Sequence, residues 1–295
     1  MKIAIASGKG GTGKTTLSTN LAAYISETIS NDSNRQVILV DLDVEEPNSG
    51  LFIKGDLIND QNKYRSTPLW DADKCTHCGE CKTICNFNAI AQLPKAILIF
   101  PELCHSCFAC SELCPEQALS MVDKKMGVLK HYQQHGDLLD NNNITFIESR
   151  LDIGEISAVP LIKQTIDYVE SNFSAEAIKI YDSPPGTSCP VIETVKDVDF
   201  VILVTEPTPF GLHDLKLAVE TVKKLDREFA IVINRHGIGD NGVEQYCLKN
   251  NIPIIGKIPN MRQAASLYSQ GKLLYNIIPE IKEQLALIYE AIKKN

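Results

Sequence analysis

Short, almost uninterrupted apolar runs recur along this chain, and most are followed by a stretch in which apolar residues return every three or four positions. Such runs are typical of strands buried on both faces, and the spacing after them is typical of helices with one apolar side. The alternation predicts an α/β fold, a parallel sheet with helices on both faces. The runs lie at Lys2–Ala6, Val37–Asp41, Ala177–Asp182, Phe200–Thr205, Ala230–Asn234 and Ile254–Gly256, and the long helical stretches at Leu17–Ile29, Ser157–Asn172 and Pro279–Lys294.

The alternation breaks in the middle of the chain. Residues 59–74 are polar, which predicts a connection that leaves the sheet. After Gly127 the apolar pattern resumes. Val128–Tyr132 and Ile144–Glu148 are predicted to form two edge strands around a polar turn at Asn141–Asn143.

The composition narrows the function classes and the compartment. The chain has 295 residues, 44% hydrophobic and 22% charged, which suits one large domain, alone or with a small one. The net charge of −8 disfavours a nucleic-acid partner, because binding many phosphates needs a basic surface. No apolar run approaches the ~20 residues of a membrane span, the last helix is too acidic for a membrane anchor, and the chain opens on a predicted strand instead of a secretion signal. Ten cysteines in such a chain predict metal or redox chemistry in a reducing compartment, the cytoplasm.

The most specific motif lies between the first predicted strand and helix. The sequence SGKGGTGKTT matches G-x-x-x-x-G-K-[ST], whose backbone N–H groups cradle phosphates at a helix N-terminus. Lys14 is expected along the β- and γ-phosphates of ATP, and Thr15 is expected to hold Mg²⁺ through its hydroxyl. The alternative is a chance glycine-rich turn, which the flanking strand and helix disfavour. The predicted nucleotide-binding residues of this loop are Gly8, Lys9, Gly10, Gly11, Thr12, Gly13, Lys14, Thr15 and Thr16.

Two of the apolar runs end in carboxylates. The first continues as Asp41-Leu-Asp43, and the second ends at Asp182 and continues to Gly186. A buried strand ending in Asp is the Walker B pattern, so Asp182 is predicted to orient Mg²⁺ through water. Gly186 is predicted to let its loop swing until its N–H meets the γ-phosphate. For Asp41 and Asp43 the alternative is a pair of acidic loop caps.

The lysine before the paired glycines gives K-G-G-x-G-K-T, which resembles the deviant P-loop of the MinD/ParA ATPases. That group includes Mrp-type cluster carriers and the nitrogenase iron protein. The resemblance implies that Lys9 reaches across a dimer interface to the partner's nucleotide, whereas the plain alternative is a solvated lysine. It also implies that Asp43 senses the γ-phosphate and the attacking water, and that Asp41 supports the Mg²⁺ shell. Asn234 would bond the adenine, although asparagine at a strand end is also a common turn former.

The cysteines form an internal repeat. A run C-x₂-C-x₂-C-x₃-C returns 29 residues later, and each copy matches the run of bacterial ferredoxins. Three thiolates on one tight loop can take three corners of a cubane, while the fourth faces the other cluster. The ferredoxin pattern therefore implies two [4Fe–4S] clusters. One would be held by Cys75, Cys78, Cys81 and Cys114, the other by Cys104, Cys107, Cys110 and Cys85.

Zinc and disulfides are the competing interpretations of these runs. Zinc favours paired knuckles separated by longer gaps, and disulfides need an oxidising compartment. Asn86 follows the first run where ferredoxins usually have proline, whereas the second run keeps Pro115, so the local backbone is in question but the ligation is not. Outside the runs, Cys189 is either packing or a thiol that moves with the nucleotide state, and Cys247 is predicted to be buried packing.

Together KGGTGKT, DLDVEEPN, both cysteine runs, DSPPGTSCP and VINR resemble a MinD/ParA-type ATPase with an inserted two-cluster ferredoxin domain. The implied division is an ATPase part over 1–60, a small α+β ferredoxin-like domain over 61–126 and a second ATPase part over 127–295. Two functions are compatible with it. The favoured one is an ATP-gated redox protein, since eight cysteines saturate both clusters; the other is an ATPase that assembles or carries clusters. Either would be a slow Mg²⁺-dependent ATPase, a homodimer or a heterodimer with a related ATPase, acting on a redox or cluster-acceptor protein.

Overall fold

The computed structural model describes residues 1–29, 36–134 and 144–294. Its strands are β1 (Lys2–Ala6), β2 (Val37–Asp41), β3 (Asp56–Trp70), β4 (Ile90–Leu93), β5 (Ala96–Ile99), β6 (Leu119–Gln133), β7 (Ile144–Leu151), β8 (Ile178–Asp182), β9 (Phe200–Thr205), β10 (Phe229–His236) and β11 (Ile254–Pro259). Its α-helices are α1 (Lys14–Ile29), α2 (Glu80–Ile84), α3 (Ala109–Glu112), α4 (Ala158–Asn172), α5 (Cys189–Val195), α6 (Pro209–Lys224), α7 (Gly242–Lys249), α8 (Arg262–Ser269) and α9 (Pro279–Ile292). Short 3₁₀ helices span Ser49–Leu51 and Pro101–Leu103.

Nine strands form one sheet in the order β11-β10-β9-β1-β8-β2-β7-β6-β3, and β4 pairs with β5 in a separate hairpin. Every pairing from β11 to β7 is parallel. Parallel strands bring their carboxyl ends to one edge, and here Asp182 is in register with Ile5 on one side and Asp41 on the other. The loops after β1, β2 and β8 therefore open side by side.

The uninterrupted apolar runs are buried as their composition requires. Every residue of β2, β8 and β9 is buried. Helix α9 joins the same core through Ile281, Leu285, Ile288 and Ile292, each at most 2% exposed. A side chain on Gly256 of β11 would collide with Ile288, so the close approach of this helix to the sheet depends on glycine.

The predicted α/β fold with a mostly parallel sheet is confirmed. All six apolar runs are strands, and β1, β2 and β9 have the predicted bounds. Helix α1 begins three residues before the predicted Leu17, at Lys14, and α9 ends at Ile292. No helix in the described ranges is both long and apolar enough to cross a membrane.

Two predictions for the middle of the chain are wrong. Residues 59–74 do not simply leave the sheet, because most of them form the edge strand β3. Exposed and half-buried residues alternate over residues 58–64 of this strand, so it lacks the apolar run that marks the buried strands. The two predicted edge strands are both interior: Val128–Tyr132 belongs to β6, between β7 and β3, and Ile144–Glu148 belongs to β7, between β2 and β6. The predicted turn at Asn141–Asn143 lies outside the described residues.

The described chain divides into two compact units. The larger comprises residues 1–61, 129–150 and 162–295, and the smaller comprises 62–128 and 151–161. In the smaller unit Arg65 donates to the carbonyl oxygen of Pro101 at 2.8 Å and pairs with Glu155 at 2.7 Å, so the segment around Glu155 is tied to this unit. The sequence division at 61–126 did not include that segment, because its partner, Arg65, lies 90 residues earlier.

Candidate functional site

The glycine-rich loop joins β1 to α1 and opens into a cleft with about 1310 Å³ of empty space. Gly11 and Gly13 have φ values of +77° and +96°, a region that favours glycine. A side chain at Gly13 would also fall on the amide of Asn234. Of the residues predicted from the sequence, the cleft is lined by Gly10, Gly11, Gly13, Lys14, Thr15, Thr16, Asp43 and Asn234.

Lys14 is the buried cation of this cleft. It is 7% exposed, and burial lowers the pKa of its ammonium group, while Asp182, Asp43 and Asp41 act in the opposite direction. The three carboxylates come from β2, the loop after it and β8. A buried cation beside acids at parallel strand ends is suited to neutralise phosphate oxygens when they enter.

Asp41 holds the loop that follows β2. Its two carboxylate oxygens accept hydrogen bonds from the backbone N–H groups of Asp43, Asn48 and Ser49 at 3.1, 3.0 and 2.9 Å. Burial and the neighbouring Asp182 raise the pKa of Asp41 to about 7, against these hydrogen bonds. The pKa of Asp43 is raised to about 6, first by burial, with Lys14 opposing.

Asp182 has spare bonding capacity. The Ser49 hydroxyl donates to Oδ2 at 3.2 Å, whereas Oδ1 is buried and has no hydrogen-bond partner among the described residues. Burial raises the pKa of this carboxyl, and the nearby hydroxyls of Thr15 and Ser18 oppose that shift. An orphaned carboxylate oxygen beside a threonine hydroxyl fits a hydrated Mg²⁺, which prefers oxygen ligands and keeps several waters.

Lys9 lies on the same loop but is turned to a carboxylate of its own chain. Its Nζ is 3.6 Å from Glu206 Oε2, and its side chain is 33% exposed. Glu206 also pairs with Arg235 at 2.8 Å and is itself only 9% exposed at the side chain. Neither Glu206 nor Arg235 was predicted to belong to the site. Glu206 follows β9 as Asp41 and Asp182 end their strands, so the same strand-end signal could have found it.

Asn234 binds the phosphate loop from the end of β10. Its Nδ2 donates to the Thr12 carbonyl oxygen at 2.8 Å, and Arg235 N donates to its Oδ1 at 2.9 Å. The predicted contact with adenine stays a prediction. Gly186, with φ +96°, donates its N–H to the Ser7 carbonyl oxygen at 3.0 Å, and its predicted swing is likewise untested. Sequence reasoning missed the far wall of the cleft, which includes Ile258, Met261 and Tyr268.

The cysteines line two cavities in the smaller unit. The first cavity is lined by Cys75, Cys78, Cys81 and Cys114. The second is lined by Cys85, Cys104, Cys107 and Cys110. Each cavity thus takes three cysteines from one run and the fourth from the other. Ala118 and Leu119 cover the first cavity, and Ala89 and Ile90 cover the second.

The backbone repeats as the sequence does. His77 and Ser106, 29 residues apart, both have left-handed φ and both donate their N–H to the sulfur of the cysteine two residues earlier at 3.4 Å. Ala89 and Ala118 N–H likewise donate to Cys85 and Cys114 Sγ at 3.3 Å. Hydrogen bonds to the sulfurs stabilise thiolates and tune cluster potentials.

These cavities are not arranged for a single ion. In residues 1–29, 36–134 and 144–294, no group of three or more His, Cys, Asp or Glu side chains could hold one metal ion. A four-iron cluster differs, because its four thiolates stand at separate corners around a void instead of converging on one point. Two residues that line the first cavity also carry a buried nitrogen, Trp70 Nε1 and His77 Nδ1, that has no hydrogen-bond partner in the described part of the chain. The donor set therefore fits a sulfur-rich cluster.

The two remaining cysteines differ in environment. Cys247 is 1% exposed in α7, and burial raises its pKa to about 11, which confirms that it packs in the interior. Cys189 is exposed at the start of α5. Its exposure excludes the simple alternative of a buried packing residue.

A parallel sheet with a P-loop between its first strand and helix defines the class of P-loop nucleotide-binding proteins. The chain belongs to the CobQ/CobB/MinD/ParA nucleotide-binding domain family, whose model matches residues 3–274. It is therefore a MinD/ParA-like nucleotide-binding ATPase.

Two relatives and two solved structures are similar over almost the whole chain, and a third relative is similar over part of it. Two uncharacterized proteins of Methanocaldococcus jannaschii are 31% and 30% identical, and the matches cover 97% and 100% of this chain and 96% and 97% of those proteins. An iron–sulfur cluster carrier protein of Pyrococcus horikoshii is 26% identical over 132 residues, 39% of this chain and 45% of the carrier. Pyrococcus furiosus MinD shares the fold with a TM-score of 0.56 at 20% identity, over 99% of this chain and 98% of that one. MinD of P. horikoshii, in complex with Mg-ADP, has a TM-score of 0.56 at 18% identity, over 99% and 96%.

Proposed function

We propose that this chain is an ATP-binding iron–sulfur protein, in which Mg²⁺-dependent ATP hydrolysis by a nucleotide-dependent dimer controls electron transfer from two [4Fe–4S] clusters to a partner protein. The observation that carries the proposal is the pair of cavities, each lined by four cysteines drawn from both runs, in a chain with a P-loop cleft. A carrier of one labile cluster needs fewer ligands than two complete sets of four.

The cleft supplies the groups that phosphoryl transfer needs. The N–H groups of the loop and the N-terminus of α1 hold the phosphates, and buried Lys14 neutralises their charge. Thr15 and Asp182 would hold Mg²⁺ and its waters, with Asp41 fixing the loop beside them. An ion held there would supply positive charge where negative charge develops on the phosphates.

Lys9 and Asp43 are proposed to connect hydrolysis with dimerisation. Asp43 would orient the attacking water. Burial raises its pKa to about 6, which makes its carboxylate a better proton acceptor than an exposed aspartate. Lys9 would leave Glu206 and reach the nucleotide of the partner subunit. The second subunit would be another copy of this chain or a related ATPase.

The cysteines are proposed to hold the redox centres. Cys75, Cys78, Cys81 and Cys114 would bind one cluster, and Cys104, Cys107, Cys110 and Cys85 the other. Clusters held there would supply one-electron redox chemistry. The backbone N–H groups of residues 77, 89, 106 and 118 would spread part of the negative charge of the ligating sulfurs.

A second candidate is an ATPase that assists iron–sulfur or metal-cluster assembly or transfer. The partial likeness to the P. horikoshii iron–sulfur cluster carrier favours it. The two functions differ in what leaves the protein, electrons in the first and iron with sulfide in the second.

The deciding experiment uses anaerobically purified full-length protein and follows electrons and iron separately. The wild type should contain about eight iron atoms per chain. After reduction it is mixed with oxidised flavodoxin as electron acceptor or apo-ferredoxin as cluster acceptor, with and without Mg-ATP. Lys14→Ala serves as the variant without nucleotide binding, and Asp43→Ala as the one that binds ATP without hydrolysing it.

Electron transfer predicts that Mg-ATP changes the rate of flavodoxin reduction severalfold in the wild type and not in Lys14→Ala, while iron stays in place. Delivery of iron to apo-ferredoxin that requires ATP supports the carrier function instead. Protein that holds no iron after anaerobic purification and reconstitution rules out both.

A further inference from the structure

Trp70 is the single tryptophan of the chain and ends strand β3 in the smaller unit. Its indole lines the first cavity together with Cys75, Cys78, Cys81 and Cys114. The Nε1–H is buried and has no hydrogen-bond partner among the described residues. Indole N–H can only donate, so water or an internal acceptor normally satisfies it when it is buried.

The residues that line the first cavity indicate which acceptor the indole N–H lacks. The lining of this cavity contains four cysteine sulfurs and apolar groups, together with three exposed polar residues, Thr76, Glu80 and Glu116. His77, whose ring meets Trp70 edge-on at 6.0 Å between centroids, also has an unpartnered buried nitrogen, Nδ1. Because the indole nitrogen can only donate, an acceptor inside the cavity would satisfy it.

The second cavity lacks this feature. Its backbone N–H···S bonds match those of the first cavity one for one. Yet none of the buried unpartnered side-chain atoms in the described ranges belongs to a residue of its wall. The residue 29 positions after Trp70 is Ile99, which has no donor. The indole N–H therefore has no counterpart in the second half of the repeat.

We propose that Trp70 Nε1–H donates a hydrogen bond to a sulfur of the cluster held in the first cavity, and that this bond raises the reduction potential of that cluster alone. The proposal rests on the proposed iron–sulfur function and assigns Trp70 a positioning and tuning role within it. Reduction adds negative charge to the cluster, and a donor stabilises the more negative state, so the potential rises. The two clusters thus become inequivalent, and an electron rests preferentially in the first cavity relative to a chain without the indole.

The test is a redox titration of the anaerobic holoprotein, followed by EPR. Trp70→Phe keeps an aromatic ring but removes the N–H. A second variant replaces Trp70 with benzothienylalanine, which keeps both rings and exchanges N–H for sulfur. Phe87→Leu, on the wall of the second cavity, is the matched control.

Both Trp70 variants should lower one of the two reduction potentials and leave the other in place, and Phe87→Leu should leave the Trp70-sensitive potential unchanged. Two full clusters with unshifted potentials in both variants would falsify the proposal, as would equal shifts of both. Absence of clusters from the wild type would instead overturn the proposed function, so the two failures are distinguishable by iron and sulfide content.

Discussion

The cysteine cavities and the nucleotide cleft differ in how their residues are distributed along the sequence. Each cavity takes its ligands from two short runs, and Cys75 and Cys114, the outermost ligands of the first cavity, are 39 residues apart. The cleft collects Lys14 from the start of α1, Asp182 from the end of β8 and Asn234 from β10. A local repeat can be found by spacing alone. In a cleft assembled by a parallel sheet, only the residues within a motif, or at the end of an apolar run, can be found from the sequence.

The largest expected effect comes from replacing the fourth cysteine of each cavity with alanine. If each cavity is shared between the runs, Cys85→Ala should damage the cluster of the second run and Cys114→Ala that of the first, with loss of up to one four-iron cluster in each. The single tryptophan reports which cluster is lost, because Trp70 lines the first cavity and a bound cluster should quench its fluorescence.

Emission should therefore recover in Cys114→Ala and stay quenched in Cys85→Ala, with iron content lowered in both. Cys247→Ala, a buried cysteine of the larger unit, serves as the control that should keep all iron. Recovery of emission in Cys85→Ala alone would mean that each run binds its own cluster.

Much of the fold was predictable because buried parallel strands carry apolar runs. The first and last residues of β2 and β9, for example, are those that the sequence predicts. Strand β3 was missed because most of its residues are polar and those at 58–64 alternate between exposed and half-buried, so no run marks it. Of the site, the P-loop and strand-end acids could be located from motifs. Tyr268 and Met261 could not, because they reach the cleft only through the packing of β11 and α8.

A second prediction concerns the acids of the cleft and has a smaller effect, on stability. In the folded chain the pKa of Asp41 is raised from 3.8 to about 7, chiefly by burial, so the folded state keeps a proton that the unfolded state loses. The contribution of Asp41 to the free energy of unfolding is fully present below about pH 4 and is lost as the pH rises to about 7. It amounts to a few kcal/mol at most.

Urea unfolding at pH 5 and pH 8, without Mg²⁺ and under anaerobic conditions, measures this difference. Asp41→Asn should be less sensitive to pH than the wild type across that window, and cluster contributions cancel in the comparison. Mg-ADP should also reduce the pH dependence, because a cation beside the carboxylates favours their charged form. Equal pH dependence in the wild type and the variant would show that Asp41 is already ionised in the apo cleft.

The smallest expected effect concerns Lys9 and sharpens the picture of the cleft. In the described chain its Nζ pairs with Glu206 of the same subunit at 3.6 Å, so a cross-subunit role requires that this contact break first. Glu206→Gln removes the charge and should strengthen ATP-dependent dimerisation by about three- to tenfold, the scale of a partly exposed ion pair.

Glu244 is the matched control, since it also faces two basic groups, His236 at 3.3 Å and Lys257 at 3.6 Å, but does not contact the loop. Sedimentation in the Asp43→Ala background separates the cases. Dimers tightened by Glu206→Gln and not by Glu244→Gln mean that the ion pair restrains Lys9 in the monomer. Equal dimerisation in all three proteins means that Lys9 leaves Glu206 without measurable cost, because the buried carboxylate keeps its shorter contact with Arg235 at 2.8 Å.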